Sequence, residues 1–336
     1  MTSDLDTLIV GAGIAGLTAA AELRAQGQRV LVVEKSHGLG GRAATRRRDG
    51  LRIDHGAQYV TVRDPRLQAR VDGWLTNGDV AVWSHGVPSW DAAGGWRAPA
   101  ADAHPRYVAP EGMSALAKLL GAGVPVEREA RATAVRADGD GWSVGLADGS
   151  GRRSRSLILT PPVPQTLELL AGVALAEDDR AALASVRYAP SFAVMAGYPD
   201  VTLPDWPAIQ LREHPVLSWI ANDAGKRRRD PAAPASAVLV LHATAVYARA
   251  RFDDPLDAVG DAMLAAAAEV VPWAGAPAWR DVHRWRYALA ETPLPEPVRV
   301  LAPGLVAAGD GFGGARVEGA FVSGLAAAEA VSDPLG

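Results

Sequence analysis

The stretch Thr7-Leu-Ile-Val10-Gly11-Ala-Gly13-Ile-Ala-Gly16 decides the fold of this chain. Thr7 to Val10 is a short apolar run, as in a strand buried on both faces of a parallel sheet. Leu17 to Gln26 then reads as a helix rich in Ala and Leu, ended by Gly27. Arg29 to Val33 is a second apolar strand, and Glu34 stands at its end. A lone G-x-G-x-x-G says little. Here it lies between strand and helix in a βαβ unit, with an acid about 20 residues on, which is the fingerprint of dinucleotide binding. Gly11 permits the tight turn, Gly13 lets backbone approach a pyrophosphate, and Gly16 lets helix and strand pack closely. Ala12, Ile14 and Ala15 complete the cradle, and the helix N-terminus stabilises the phosphate charge.

Glu34 can accept from ribose hydroxyls and repels a 2′-phosphate, so the expected dinucleotide is NAD or FAD. The next segment favours FAD. Gly38-Leu-Gly40-Gly41-Arg42-Ala-Ala-Thr45 puts a second Gly pair and an Arg just after the acid and Lys35. A pyrophosphate covered from two sides needs such a loop, whereas a hydride-carrying dehydrogenase has no standard need for it.

Composition narrows the chemistry. The chain has 336 residues, enough for about two domains of roughly 150 residues. It contains no Cys, which excludes disulfides, thiolate nucleophiles, redox dithiols and a flavin linked through sulfur. The expected FAD is therefore non-covalent or at most histidyl-linked. Lys35, Lys118 and Lys226 are the only Lys, against 31 Arg. A net charge of −4 gives no electrostatic case for nucleic acid or anionic membrane. The acidic start and the lack of an apolar run of about 18 residues point to a cytoplasmic protein without signal peptide or membrane span.

The motifs so far resemble the FAD-binding start of the flavin amine oxidase superfamily. Asp54-His-Gly-Ala-Gln-Tyr59 narrows the resemblance to renalase and its bacterial relatives. Further matching pieces are Tyr107-Val-Ala-Pro-Glu-Gly-Met113, Leu159-Thr-Pro-Pro-Val-Pro164, Val240-Leu-His242-Ala-Thr244, Arg284-Trp-Arg-Tyr287 and Arg316-Val-Glu-Gly-Ala320. They cover most of the chain. His55 departs from the pattern, which has a small apolar residue at that place.

The expected fold is α/β: a Rossmann-like FAD-binding domain of the p-hydroxybenzoate hydroxylase and amine oxidase type, with an inserted mixed α+β substrate domain. The FAD domain is expected as three segments, 1–63, 106–162 and 298–336, and the substrate domain as 64–105 and 163–297. Pro110 to Leu120 reads as a helix and Val124 to Val126 as a short parallel strand. Residues 131–160 read as a meander with Gly-rich hairpin turns. The first insertion carries Trp83, Trp90 and Trp96 among Gly and Pro, which suggests a hairpin layer without a helix. The second has strand-like runs at Phe192–Gly197, Leu217–Ala221 and Ala237–Ala245, and an Ala-rich helix from Leu256 to Val270. Lys226-Arg-Arg-Arg229 reads as a loop and a solvated face, with contact to substrate phosphates as the alternative.

The resemblance implies cofactor roles for Val126, Gly41, Arg42, Gly309-Asp310 and Val317-Glu-Gly-Ala320. Gly309-Asp310 leaves a final strand, and a helix N-terminus follows near Gly319, suited to negative charge on a reduced flavin. Gly56 and Ala57 would let backbone approach the isoalloxazine, with Gln58 and Tyr59 contacting flavin or substrate. His242 is read as a substrate contact or a satisfied core histidine. Trp219 would stack on a nicotinamide and Asn222 would bond its carboxamide; the alternative is a core Trp and a turn Asn. Arg286 is a further candidate.

The resemblance implies an FAD-dependent oxidase of isomeric dihydronicotinamide dinucleotides, with hydride passing to flavin N5 and O2 reoxidising the flavin to give NAD(P)⁺ and H2O2. The partners would be a small dinucleotide and O2. A flavin amine oxidase is the main rival. Those enzymes use a Lys near N5, and none of the three Lys looks placed for it. A carotenoid-desaturase-like enzyme is a weaker rival, and a flavin-binding module without turnover is another. A disulfide reductase is excluded by the absence of Cys.

Overall fold

The computed structural model describes residues 5–99, 104–228 and 236–332. Among them two compact units separate, residues 5–43, 114–188 and 290–332, and residues 44–99, 104–113, 189–228 and 236–289.

The first unit is built on an eight-stranded sheet. Its centre is parallel: Leu5–Val10 lies between Val30–Val33 and Gly151–Leu159, with Val126–Glu127 and Leu305–Ala308 outside them. The central strands are apolar on both faces, as helix-covered parallel strands must be. Ala132–Asp138 and Gly141–Leu146 add an antiparallel meander to Gly151–Leu159. The helices Ile14–Ala25 and Val317–Ser332 pack close together, because a Cβ at Gly324 would lie only 2.4 Å from the Ala15 carbonyl.

Several details differ from the sequence reading. The helix expected from Pro110 begins at Ser114, because Ala109–Gly112 closes a turn with Gly112 at φ 101°. Residues 163–188 pack with the first unit. Val163, Leu169, Leu170 and Leu183 join the core of Leu157 and Val135. Residues 44–63 fall in the second unit, where Ile53 packs with Met195, Val238 and Val240.

The second unit carries a seven-stranded sheet. Its middle strands are Tyr188–Thr202, Ser236–Ala243, Leu217–Asn222 and Ala208–Leu211. Side chains alternate between its faces. Phe192, Val194, Leu239 and Leu241 meet the helix Leu256–Val270 on one face. Met195, Val238, Val240 and Trp219 form the other. Trp279–Ala290 runs along the edge of this sheet.

The first insertion does hold a helix, Pro65–Asn77. Asp64 caps it by accepting from the Arg66 N–H at 2.8 Å, Pro65 occupies the first turn, and Gly78 ends it at φ 73°. Asp-Pro before and Gly after are ordinary helix boundaries, which the tryptophans further along obscured. Those tryptophans lie in short strands, Ala81–His85, Ser89–Asp91 and Gly95–Arg97. No helix among the described residues is long and apolar enough to cross a membrane.

Candidate functional site

In the first unit the glycine turn is shaped as its spacing predicts. Gly11 has φ 102°, and a Cβ on Gly16 would sit 2.0 Å from the Gly11 carbonyl. Gly13 faces open space, with nothing within 4 Å of a Cβ there. The helix that follows has no side-chain cap. Its first internal bond is Leu17 N–H to Gly13 O, so Ile14, Ala15 and Gly16 begin the helix with N–H groups directed outward. Glu34 is buried, its two oxygens accepting the Ala12 and Ser36 N–H groups at 2.8 Å each.

The second Gly loop lies on the first. Gly40 donates its N–H to Ala12 O at 2.9 Å, and Gly40 and Gly41 both take positive φ. Val126 pairs with Val32 beside this turn, while Lys35 reaches outward to Gln165 Oε1 at 3.3 Å. An uncapped helix start, an unobstructed Gly13 and a buried acid at the next strand end fit the pyrophosphate and ribose of FAD.

Arg42 and Asp310 meet each other. Two parallel bonds of 2.5 and 2.7 Å join guanidinium to carboxylate. The Tyr188 hydroxyl donates to the same carboxylate at 3.3 Å, and the Arg42 guanidinium lies 5.5 Å from the Tyr188 ring centre. Burial, reinforced by Asp310, holds the Tyr188 phenol well above its ordinary range. Gly309 takes φ 125° and gives its N–H to Ser323 Oγ at 2.7 Å. The last helix opens at Val317, earlier than expected, so Val317, Glu318, Gly319 and Ala320 are its first turn. A Cβ on Gly319 would strike the Gly314 carbonyl at 2.1 Å, so this turn too lies tight on backbone.

In the second unit Tyr59, Trp83 and Trp219 form a triangle with ring centres 5.8–6.5 Å apart. Arg106 lies 5.2 Å above the Tyr59 ring. Trp219 and His242 are direct partners across antiparallel strands, so their side chains share the sheet face away from Leu256–Val270. Trp219 Nε1 and His242 Nε2 are buried and have no protein partner. Beside them His55 lies edge-on to His283 at 4.8 Å and stacked on Trp285 at 5.5 Å, and its Nδ1 is likewise buried without a partner. Burial, then the Lys226 charge, lowers His242 to about 4. Burial, then His283, lowers His55 to about 4. Both rings are neutral at pH 7.

Gln58 and Asn222 do not join this face. The Gln58 amide donates to Asp54 O at 2.5 Å and Gly56 O at 3.0 Å, and its oxygen accepts from Lys226 Nζ at 2.8 Å. The Asn222 amide donates to Pro204 O at 3.0 Å and accepts from the Gly225 N–H at 3.2 Å. It is a turn Asn, committed to its own loop. Arg286 also lies apart from this face. It is exposed and lies 4.8 Å over Phe252, whose ring also meets Phe192 of the helix-covered face. His283 and Trp285, one residue out of step, meet His55. The strand period of two separates them.

The largest departure is Lys226. Read as a solvated loop residue, it has a side chain with 0% exposure. Its Nζ lies 3.0 Å from Asp223 Oδ1 and 3.6 Å from Asp54 Oδ2. Arg227 Nη2 bridges the same two carboxylates at 2.7 Å each. Thr45 Oγ1 and the Met113 N–H also donate to Asp54. Burial works to raise the Asp54 carboxyl, but Lys226 and Arg227 outweigh it and hold Asp54 below its ordinary value. Arg228 reaches the Gly78 carbonyl, and Arg229 lies outside the described residues. A basic run after a turn looks solvated in sequence; here Asp223, three residues before Lys226, and Asp54, distant along the chain, both meet it in the fold.

The profile of the NAD(P)-binding Rossmann-like domain matches residues 9–73, and that of flavin containing amine oxidoreductases matches residues 92–332. Renalase of Mus musculus is 26% identical over 337 residues, covering 95% of this chain and 96% of its own. Pseudooxynicotine dehydrogenase of a Pseudomonas species is 38% identical over 68 residues, 20% of this chain and 14% of its own. Among solved structures, cyclohexylamine oxidase from Brevibacterium oxydans superposes with a TM-score of 0.75 at 15% identity, over 99% of both chains. At that identity the likeness speaks for the fold. With the second profile spanning well over half of its length, the chain belongs to the flavin containing amine oxidoreductase family and is a renalase-like, FAD-dependent oxidoreductase.

Proposed function

We propose that this enzyme oxidises isomeric dihydronicotinamide dinucleotides, 2- or 6-dihydro-NAD(P), in the cytoplasm. One observation carries the reading: Trp219 and His242 present two unspent ring nitrogens from one aromatic face. A buried polar atom left without a partner costs about 1–3 kcal/mol, so this face is suited to a ligand that supplies both a donor and an acceptor. A carboxamide on a flat ring does so. Trp219 Nε1–H donates to its oxygen, and neutral His242 Nε2 accepts from its amide N–H. Tyr59 and Trp83 complete the wall against the ring and exclude water.

In the first unit the proposed roles are separate. The N–H groups of Ile14, Ala15 and Gly16 bind the cofactor pyrophosphate and Glu34 the ribose. Arg42, paired with Asp310, holds the flavin end together with the first turn of the last helix. FAD, when bound, would supply the hydride acceptor and the route for electrons to O2. The chain needs no general base for this, because a dihydropyridine is already electron-rich. Its task is to hold the ring in place.

An amine substrate is the second reading, favoured by the aromatic triangle, which also suits an alkylammonium. Lys226 does not support it, since its ammonium is spent on Gln58, Asp223 and Asp54. Product analysis decides between the two. With isomeric dihydronucleotide, NAD(P)⁺ and H2O2 should appear in equal amounts. Aldehyde and ammonia from an amine, with no dinucleotide oxidised, would overturn the proposal.

A further inference from the structure

We propose that Lys226 is a positioning residue for the substrate face, and that its buried ammonium sets the geometry of the Tyr59–Trp83–Trp219 triangle. The inference rests on the reading that this triangle receives the substrate ring.

The three aromatics come from three separate segments, and each segment converges on Lys226. Tyr59 follows Gln58, whose amide oxygen accepts from Lys226 at 2.8 Å. That bond fixes which way the amide faces. Its nitrogen is then directed at the carbonyls of Asp54 and Gly56, closing the turn that delivers Tyr59. Trp83 stands with its ring centre 5.0 Å from the same ammonium. Trp219 lies on the strand Leu217–Asn222, which runs directly into the turn Ala224–Lys226. A shift of the ammonium therefore moves all three rings.

The neighbouring cation does a different job. Arg227 bridges Asp54 and Asp223 at 2.7 Å each and donates to Arg52 O at 2.9 Å, so it already ties the turn to the hairpin strand Leu51–Asp54. Lys226, by contrast, touches Gln58 and Trp83. Two cations face two carboxylates in this buried cluster, so charge balance and positioning can be separated by substitution.

The test compares holoenzymes carrying Lys226→Met and Lys226→Met with Asp223→Asn. The single variant leaves two buried carboxylates against Arg227 and should lose thermal stability. The double variant removes one charge of each sign. It should recover stability and keep its flavin, yet show KM for 6-dihydro-NAD raised about tenfold with kcat changed far less. Near-ultraviolet circular dichroism, which reads coupling between Trp83 and Trp219, should change in the double variant. Gln58→Met, which keeps the charge count, should reproduce both effects and serves if the double variant does not fold. Wild-type KM together with an unchanged dichroism spectrum in the folded variants would overturn the proposal and make Lys226 a counter-charge only. If no dihydronucleotide reduces even the wild type, the functional reading fails, and the dichroism alone still decides the role of Lys226.

Discussion

Trp219 and His242 stand opposite each other on adjacent antiparallel strands, and each carries a buried ring nitrogen that the protein itself leaves without a partner. The proposed recognition of a carboxamide rests on this pair. Trp219→Phe keeps an aromatic wall and removes the donor. It should raise KM for an isomeric dihydronucleotide about tenfold, the effect of one lost hydrogen bond. Steady-state kinetics checks this. His242→Ala should slow flavin reduction while FAD stays bound, read as the rate of bleaching and the visible spectrum of the purified variant.

The pH response follows from the same face. Burial lowers His242 and His55 to about 4 in the folded protein, against 6.5 for a free imidazole. The unfolded chain therefore binds more protons between those values, and stability is full above about pH 6.5 and declines as pH falls toward 4. KM should be flat from pH 7 upward, where both rings stay neutral. A melting temperature measured across pH 4–8 should fall on the acid side. In His242→Gln the fall should be smaller.

The ion pair of Arg42 with Asp310 gives a prediction for the cofactor. Arg42→Ala removes both guanidinium bonds to Asp310, keeps the bond from the Tyr188 hydroxyl, and removes the contact proposed for the flavin end. FAD affinity, measured by reconstitution of the apoprotein, should fall about tenfold or more. Gly16→Ala should be more severe. Its methyl would collide with the Gly11 carbonyl, so the variant should purify without flavin.

Arg286→Ala tests the strand register. Arg286 stacks over Phe252 on the helix-covered side, whereas Trp285 touches His55. Arg286→Ala should leave KM within about twofold of wild type, and Trp285→Leu should raise it. Equal effects of the two would show that the sides are wrongly assigned.

The nucleotide-binding half was legible because its signals are local. Gly11, Gly13, Gly16 and Glu34 lie within one βαβ unit, and backbone sterics fix what each must do. Trp219 and His242 were candidates from residue type and family likeness, but their direct pairing across two strands was not legible. What escaped depends on partners far along the chain. Lys226 is buried because Asp54 and Asp223 meet it, and nothing near residue 226 signals the acid at 54. Asn222 turns out to be the turn Asn of its alternative reading, and Gln58, read as a flavin or substrate contact, spends its amide on loop carbonyls and Lys226. Residues 279–290 carry no plain strand signal in sequence, so nothing there tells that Arg286 lies on the other side of the strand Trp279–Ala290 from His283 and Trp285.

Anaerobic mixing tests the central claim most directly. Purified FAD-loaded enzyme would be combined in turn with 2- and 6-dihydro-NAD(P), ordinary NADH and a panel of amines, and loss of the flavin's visible band followed in time. Rapid bleaching by an isomeric dihydronucleotide, with slow or no response to NADH and amines, is the predicted result. Rapid bleaching by an amine alone would contradict the account.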